Sequence, residues 1–377
     1  MVHCYYAFLL GIPTILPLAL YFYAHSIAKK PRIHAKCNRF RSLVEQYCTV
    51  LKRKFIPTWW CPFGNFQTAV RQALRSCPFV PYDREILTLS DGGQVALDWV
   101  EPAAADHQTP TVLIFPGLTG TNRSSYVLHM ILEIQKLHYR GVVFNRRGTA
   151  GLPFLTARAY CAAETGDTDQ VVSHIKRKHP RSPIMAVGFS QGGVILFNYL
   201  CTKKSAGEIG IKAGLLISIV WEWELAGLSF LSFWPRVLFH YRLGTDLVNL
   251  VKPYEEIFRH KCNWEQVLQG QTVRDFDKHF TVPIFGFRDL DDFYKRAAVN
   301  YKVSRVPIPV LCLNAADDCF APLFTIPFDE IEDSDNVAVV TTSHGGHMAF
   351  MDKLSPNDVG LMEELFSQFA YMVFNHL

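Results

Sequence analysis

The 377-residue chain is 49% hydrophobic and 13% aromatic, and its formal net charge is +4. This composition excludes disordered and fibrous proteins, and the length accommodates one large α/β domain with insertions. Nine Lys and Arg residues between Lys29 and Lys54 stand against a single acid, Glu45, and no nucleic-acid-binding motif accompanies them. The basic stretch therefore indicates anionic lipid headgroups as a partner, and no nucleic acid.

The N-terminal residues 5–24 contain no charged side chain and are almost entirely apolar or aromatic. About 20 such residues suffice to cross a bilayer as a helix, and the tyrosines near both ends suit its interfaces. The alternatives are a cleaved signal peptide, for which the basic start and a clear cleavage site are lacking, and a buried core helix. The sequence therefore predicts a transmembrane anchor over residues 1–27, in the lipid bilayer of an endomembrane such as the endoplasmic reticulum.

The side of the membrane follows from charge and cysteine usage. The basic stretch comes directly after the predicted anchor, which favours the cytosol for the rest of the chain under the positive-inside rule. The ten cysteines show no paired spacing, as expected for reduced thiols. The sequence thus predicts a single-pass membrane protein with a cytosolic catalytic domain.

Two segments that follow carry a family resemblance. Residues 57–68 read P-T-W-W-C-P-F-G-N-F-Q-T, and residues 84–99 contain two β-rich runs around Asp-Gly-Gly, which predicts a hairpin. Both resemble the segments that precede and open the catalytic domain in the AB hydrolase 4 family of membrane-anchored α/β-hydrolase-domain proteins. The resemblance covers roughly residues 57–375, and it implies hydrolysis of acyl-lipid esters, phospholipids included. We therefore divide the chain after the anchor into a basic arm with an aromatic pre-domain segment, residues 28–80, and a hydrolase domain, residues 81–377.

From residue 111 onward, short hydrophobic runs alternate with helix-like segments. The runs predict strands at residues 111–115, 141–145, 183–189, 212–219, 307–313 and 337–341. Such alternation is typical of a mostly parallel central sheet with helices on both faces, as in an α/β-hydrolase fold.

An insertion interrupts this alternation between about residues 221 and 300, where aromatic residues accumulate and strand signals fade. At this position a hydrolase usually carries a helical cap, and an apolar cap over the pocket would suit an acyl chain. An ordinary packed helical subdomain would have the same pattern. Residues 274–277, Arg-Asp-Phe-Asp, also resemble a family segment near the end of the cap.

The candidate catalytic residues follow three of the predicted strands. Ser190 is the centre of a G-x-S-x-G motif between a strand and a helix, which is typical of a nucleophile elbow. In the α/β-hydrolase order, an acid and then a base follow the serine at the ends of later strands. Asp318 stands four residues before a proline, and His347 follows two glycines. We therefore predict Ser190 as nucleophile, His347 as base and Asp318 as the acid that orients the base.

Alternatives exist for the acid and the base. Asp317 is adjacent to the preferred acid, and Glu222 and Glu224 follow an earlier strand where some hydrolases keep theirs. His344 precedes the preferred base, and we interpret it as a loop residue. Arg147, in the sequence N-R-R-G, resembles the family's R-G loop and is expected to organise the floor of the site.

A tetrahedral intermediate requires two backbone N–H donors. We predict Gln191, at the start of the elbow helix, as one donor. Residues 116–120, P-G-L-T-G, occupy the position of the fold's H-G-x-x-G loop, which indicates Leu118 as the other. The sequence contains no metal-ligand spacing or cofactor motif, so no metal or cofactor is predicted.

Together these features predict a membrane-anchored serine hydrolase that cleaves carboxylic esters of acyl lipids, of phospholipid or acylglycerol type, through an acyl-enzyme on Ser190. The substrate would be a membrane lipid. An acyltransferase is the alternative, because His347 and Asp352 form an H-x4-D pattern linked to acyltransferases in related hydrolases. A non-catalytic, membrane-anchored binding protein is a third hypothesis, which an intact triad disfavours.

Overall fold

The computed structural model of the chain describes residues 15–229 and 232–377. Its strands are β1 (Arg32–His34), β2 (Asp83–Thr88), β3 (Gln94–Val100), β4 (Thr111–Phe115), β5 (Arg140–Asn145), β6 (Ile184–Phe189), β7 (Ala213–Ile217), β8 (Val310–Ala315) and β9 (Val337–Thr342). Within these residues they form a nine-stranded sheet in the order β1-β9-β8-β7-β6-β4-β5-β3-β2. Pairing is parallel from β5 to β9 across the centre, and antiparallel where β1, β2 and β3 join at the two edges.

Helices connect most of these strands. The α-helices are α1 (Arg39–Tyr47), α2 (Gly64–Leu74), α3 (Ser125–Lys136), α4 (Gly166–Lys178), α5 (Gln191–Leu200), α6 (Ala206–Ile209), α7 (Trp223–Ser229), α8 (Phe233–Pro235), α9 (Tyr241–Val251), α10 (Glu255–Phe258), α11 (Trp264–Gln269), α12 (Val273–Phe276), α13 (Val282–Phe285), α14 (Leu290–Ala297), α15 (Phe328–Asp333) and α16 (Leu361–Asn375). Short 3₁₀ or π turns lie at Thr49–Lys52, Arg236–His240, Lys252–Tyr254, Asp277–Thr281, Asn300–Arg305 and Leu323–Thr325.

The sheet separates two apolar layers. Leu113 and Phe115 of β4 belong to a cluster that includes residues of α4 and α5. Val112 and Ile114 of the same strand belong to a second cluster, with residues of α1, α3 and α16. This split follows from the two-residue period of a strand, and it explains why the central strands read as continuous hydrophobic runs. The predicted mostly parallel sheet with helices on both faces is confirmed.

The segment between β7 and β8 is helical in its described residues. A third apolar cluster joins Phe154 to side chains of this segment, among them Leu247, Phe258 and Phe280. On α9, a Cβ added to Gly244 would lie 2.3 Å from the carbonyl oxygen of Gln271, so α9 packs closely on the chain that leads into α12. This segment forms one wall of the cavity around Ser190.

The basic stretch is partly incorporated into the body of the protein. It contributes β1, which pairs with β9, and α1, whose Phe40 and Val44 are buried. Lys36 forms an ion pair with Asp335 at 2.7 Å, and Arg53 one with Glu364 at 2.8 Å. Part of the positive charge that the sequence analysis assigned to lipid headgroups is therefore matched by acids of the chain itself.

The predicted transmembrane anchor requires correction. In residues 15–229 and 232–377, no helix has both the length and the apolar character needed to cross a membrane. Residues 5–14 of the predicted span lie outside the described residues. The prediction of a single-pass membrane localisation, which depended on this anchor, is wrong on this finding.

Candidate active site

Ser190 occupies a sharp turn between β6 and α5. Its backbone has φ 50° and ψ −123°, a conformation that non-glycine residues rarely adopt and that is typical of functional sites. The flanking glycines are required by space. A Cβ on Gly188 would lie 2.4 Å from the Cα of Gly193, and one on Gly192 would lie 2.2 Å from the carbonyl oxygen of Pro116. The turn can therefore form only because both side chains are absent.

A continuous hydrogen-bond chain starts at this serine. The Ser190 Oγ lies 2.8 Å from the Nε2 of His347, and the Nδ1 of that histidine lies 2.8 Å from the Oδ2 of Asp318. The relative exposures of the three residues are 8%, 6% and 3%, respectively. The second Asp318 oxygen accepts the N–H of Phe320, whose ring stacks on the imidazole at 4.2 Å between centroids. The loops after β8 and β9 thus bring the predicted acid and base to the serine.

The alternative residues make other contacts. Asp317 accepts the N–H of Gly346 at 2.9 Å, and burial raises the pKa of its carboxyl to about 6. Glu222 accepts the N–H groups of Glu224 and Leu225 at the start of α7. The carbonyl of His344 accepts the Thr342 hydroxyl, and burial lowers the pKa of its ring. Within the described residues, the hydrogen-bond chain from Ser190 therefore contains His347 and Asp318, and their catalytic roles stay predictions.

The two predicted oxyanion donors border the same cavity as the serine. Leu118 belongs to the loop after β4, and Gln191 begins α5. Arg146 links the two segments: its guanidinium donates to the carbonyl of Gly117 and, at 3.4 Å, to the side-chain oxygen of Gln191. Burial lowers the pKa of Arg146, and its guanidinium lies 4.2 Å from the centroid of the Tyr160 ring. The donor roles stay predictions, because they depend on a bound intermediate.

Arg147 was predicted to organise the floor of the site, but its ion pairs lie elsewhere, and its neighbour Arg146 makes the contacts to Gly117 and Gln191. Arg147, the residue that the sequence favoured, forms ion pairs with Asp91 at 2.7 Å and with Asp167 at 2.6 Å, and so ties the β2–β3 turn to α4. Both arginines follow the end of β5, and nothing in one sequence indicates which of them contacts Gly117 and Gln191.

The pre-domain segment holds the loop that carries His347. On α2, the Thr68 hydroxyl accepts the backbone N–H of His347 at 2.8 Å. The neighbouring Gln67 accepts the N–H of Met351 at 3.0 Å and donates to its carbonyl at 3.3 Å. Gly346 has φ +57°, and a Cβ there would lie 2.2 Å from the carbonyl oxygen of Gly64. The segment with the family resemblance thus fixes the position of the candidate base.

Replacing Thr68 with valine should lower kcat by about tenfold, because the buried N–H of His347 would lose its acceptor and the imidazole its fixed position. Thr68→Ser keeps the hydroxyl and should retain nearly full activity. Steady-state kinetics on a short-chain ester, with thermal melting of all three proteins, measures both effects. Equal losses in the valine and serine variants would contradict this role of the hydroxyl.

A cavity of about 660 Å³ opens over Ser190 and His347. One of its walls comes from the helical segment between β7 and β8, with Trp223, Phe239 and Tyr294 among the lining side chains. This volume lies in the range of small-molecule sites, and aromatic walls suit an apolar ligand. No cluster of metal-ligating side chains is found in the part of the chain that the structure describes.

The acyltransferase pattern has a structural explanation. The side chain of Asp352 is 7% exposed, and its carboxylate lies 3.3 Å from the guanidinium of Arg53. Its pKa is raised by burial. This ion pair joins the basic stretch to the loop after His347, so Asp352 has a partner outside the hydrogen-bond chain of Ser190, His347 and Asp318.

A serine at a strand–helix elbow, hydrogen-bonded to a histidine and an aspartate from later strands, defines a site of the serine hydrolase class. The chain belongs to the alpha/beta hydrolase fold family, which matches residues 110–354. This confirms the resemblance found in the sequence.

Similar proteins cover nearly the whole chain. It is 37% identical over 369 residues to protein abhd-3.2 of Caenorhabditis elegans, an alignment that covers 97% of this chain and 98% of the other. It is 39% identical over 364 residues to phospholipase ABHD3 of Mus musculus, with 94% and 87% covered. The esterase Pf2001 of Pyrococcus furiosus shares the fold alone, with a TM-score of 0.50 at 15% identity over 80% of this chain and 97% of its own. The prediction that the chain is a carboxylic ester hydrolase is confirmed.

Proposed function

We propose that this chain hydrolyses carboxylic esters of acyl lipids, phospholipids foremost, through an acyl-enzyme on Ser190. The observation that carries the proposal is the hydrogen-bond chain from Ser190 through His347 to Asp318 at the base of the cavity. The lipid substrate is supported by the mouse relative, which is named a phospholipase, and by the aromatic wall of the cavity.

In the first half-reaction, the Ser190 oxygen adds to the ester carbonyl while its proton moves to the Nε2 of His347. Asp318 accepts the Nδ1–H of the imidazole and stabilises its positive charge. The backbone N–H groups of Leu118 and Gln191 stabilise the oxyanion. When the intermediate collapses, the bond to the alcohol oxygen breaks, and His347 returns its proton to that oxygen. The acyl group remains on Ser190.

In the second half-reaction, water takes the place of the departed alcohol. His347 removes one proton from the water as its oxygen adds to the acyl carbon, and the same N–H groups stabilise the second oxyanion. The bond to Ser190 then breaks, and His347 protonates the serine oxygen. A fatty acid leaves, and the site returns to its starting state.

Product analysis separates hydrolysis from acyl transfer. The purified chain is incubated with a diacyl phospholipid in mixed micelles, with an isotope-labelled lysophospholipid present as acceptor. We expect free fatty acid and unlabelled lysophospholipid, with no labelled diacyl product. Labelled diacyl phospholipid formed in place of fatty acid would establish the acyltransferase instead, and the absence of any product would favour a binding protein.

A further inference from the structure

The Arg-Asp-Phe-Asp segment, residues 274–277, covers most of α12 and the first residue of the turn that follows it. Three of the four side chains have partners within the helical segment. Asp275 accepts the N–H and the hydroxyl of Thr272 in a capping box of α12, and Phe276 is buried in the apolar cluster. Asp277 accepts the hydroxyl of Thr281 at 2.8 Å and lies 3.4 Å from that of Tyr294. The fourth, Arg274, is the member that these contacts leave unexplained.

Arg274 borders the cavity that contains Ser190 and His347. Its side chain is exposed, and its guanidinium lies 5.9 Å from the centroid of the Tyr294 ring. In the described part of the chain no carboxylate lies within ion-pair distance of its guanidinium, and the acids beside it in sequence accept hydrogen bonds from Thr272 and Thr281. A permanent positive charge therefore faces the catalytic cavity without a counter-ion.

A second arginine lies on the adjoining helix. Arg242, near the start of α9, also borders the cavity, and α9 packs against the chain entering α12 at Gly244. No ion pair of Arg242 is found among the described residues. Two unpaired guanidinium groups on neighbouring helices suit an anion with several oxygens, because each group presents a planar set of N–H donors.

The other charges of the cavity restrict where such an anion can bind. Arg71 and Arg75 also border it, but both side chains are buried and donate to Glu363, whose pKa they lower to about 2. Glu224 and Asp246 border the cavity as well and repel an anion. Among the described residues that line the cavity, the arginines on α9 and α12 are therefore the exposed cations.

We infer that Arg274, assisted by Arg242, binds the phosphate of a phospholipid substrate and so determines specificity for phosphodiester over uncharged acylglycerols. The inference rests on the proposed function, because it assigns a subsite of the same cavity. The ester is attacked at Ser190 while the phosphate, a few bonds away on the glycerol, contacts the opposite wall.

The test compares two substrates with identical acyl chains, a diacyl phospholipid and the matching diacylglycerol, in the same mixed micelles. Arg274→Gln should lower kcat/KM for the phospholipid by about 10- to 100-fold, chiefly through KM, as expected for a lost charge-assisted hydrogen bond. Its kcat/KM for diacylglycerol should change by less than about twofold. Arg274→Lys, which keeps a point charge, should recover part of the loss. The ratio of kcat/KM for the two substrates is measured within each variant. A loss of folded protein lowers both values equally and leaves this ratio unchanged.

The matched control is Arg259→Gln, which removes another exposed arginine of the helical segment. Arg259 pairs with Glu256 at 3.1 Å and does not border the cavity, so the ratio should be that of the unaltered protein. Excess inorganic phosphate should leave diacylglycerol hydrolysis unchanged. If phosphate inhibits diacylglycerol hydrolysis by the unaltered chain but not by Arg274→Gln, the arginine binds a free anion. That result would overturn the headgroup assignment.

Two further outcomes separate this inference from the proposed function. An unaltered chain that hydrolyses both lipids, with a substrate ratio that Arg274→Gln does not change, would overturn the phosphate subsite alone. An unaltered chain that hydrolyses neither lipid would contradict the proposed function, and the subsite with it.

Discussion

Replacing Ser190 with alanine should lower kcat/KM for ester hydrolysis by about 10⁴- to 10⁶-fold, the range observed when a triad serine is removed. The reason is that no other oxygen lies within hydrogen-bond distance of the Nε2 of His347 in the described residues, so no acyl-enzyme can form. The variant should also lose labelling by a fluorophosphonate probe. Fatty-acid release and in-gel fluorescence of the labelled protein measure the two effects.

A matched control for this variant is Ser367→Ala. Ser367 lies on α16, where its hydroxyl lies 3.4 Å from a Glu133 oxygen. Activity and labelling of this variant should equal those of the unaltered chain. Persistent labelling of Ser190→Ala would assign the nucleophile to another residue.

Asp318→Asn should lower kcat by about 10³- to 10⁴-fold with little change in melting temperature. An asparagine can fill the same space, but it cannot stabilise the imidazolium, and its amide can hold His347 in the wrong tautomer. Asp317→Asn is the matched control, since the adjacent side chain accepts the N–H of Gly346 through an oxygen that asparagine retains. We expect a loss of less than about tenfold for this control.

Steady-state kinetics of the two aspartate variants on one soluble ester decides whether Asp317 or Asp318 orients His347. A larger loss for Asp317→Asn than for Asp318→Asn would transfer the role of orienting acid to Asp317. Circular dichroism of both variants accompanies the kinetics, because Asp318 is buried and Asp317 half-buried, and a folding defect would lower activity in either case.

The sheet and the elbow were predictable because their signals are local. The strands buried on both faces read as short hydrophobic runs, and the structure places strands at each predicted position from Thr111 onward, with ends shifted by a few residues. The motif around Ser190 requires glycines that a single sequence displays directly. The order of acid and base is set by the topology of the sheet, so the sequence could indicate Asp318 and His347 as candidates.

Other features depend on contacts between distant parts of the chain. β1 contains three residues, Arg-Ile-His, with too few apolar positions to show an alternating pattern. The hydrogen bond from the His347 N–H to Thr68 joins residues 279 positions apart. The role of Arg146 depends on which way its side chain leaves the end of β5, and the neighbouring arginine has an identical local sequence signal.

The anchor prediction failed for a different reason. Residues 5–24 have the composition of a membrane span, but in residues 15–229 and 232–377 no helix has the length and the apolar character needed to cross a membrane. In the described part, the helical turns end at residue 26, and the chain then enters the basic stretch that leads to β1.

Mass spectrometry of the acyl-enzyme tests most directly whether Ser190 is the nucleophile. The chain is mixed with an activated ester that acylates faster than the acyl group is released, quenched in acid, digested and sequenced. We expect an acyl group on the peptide that contains Ser190, present in the unaltered chain and absent from Ser190→Ala. Fatty-acid release with the acyl group on another residue, or with none detected under conditions that trap a reference serine esterase, would contradict it.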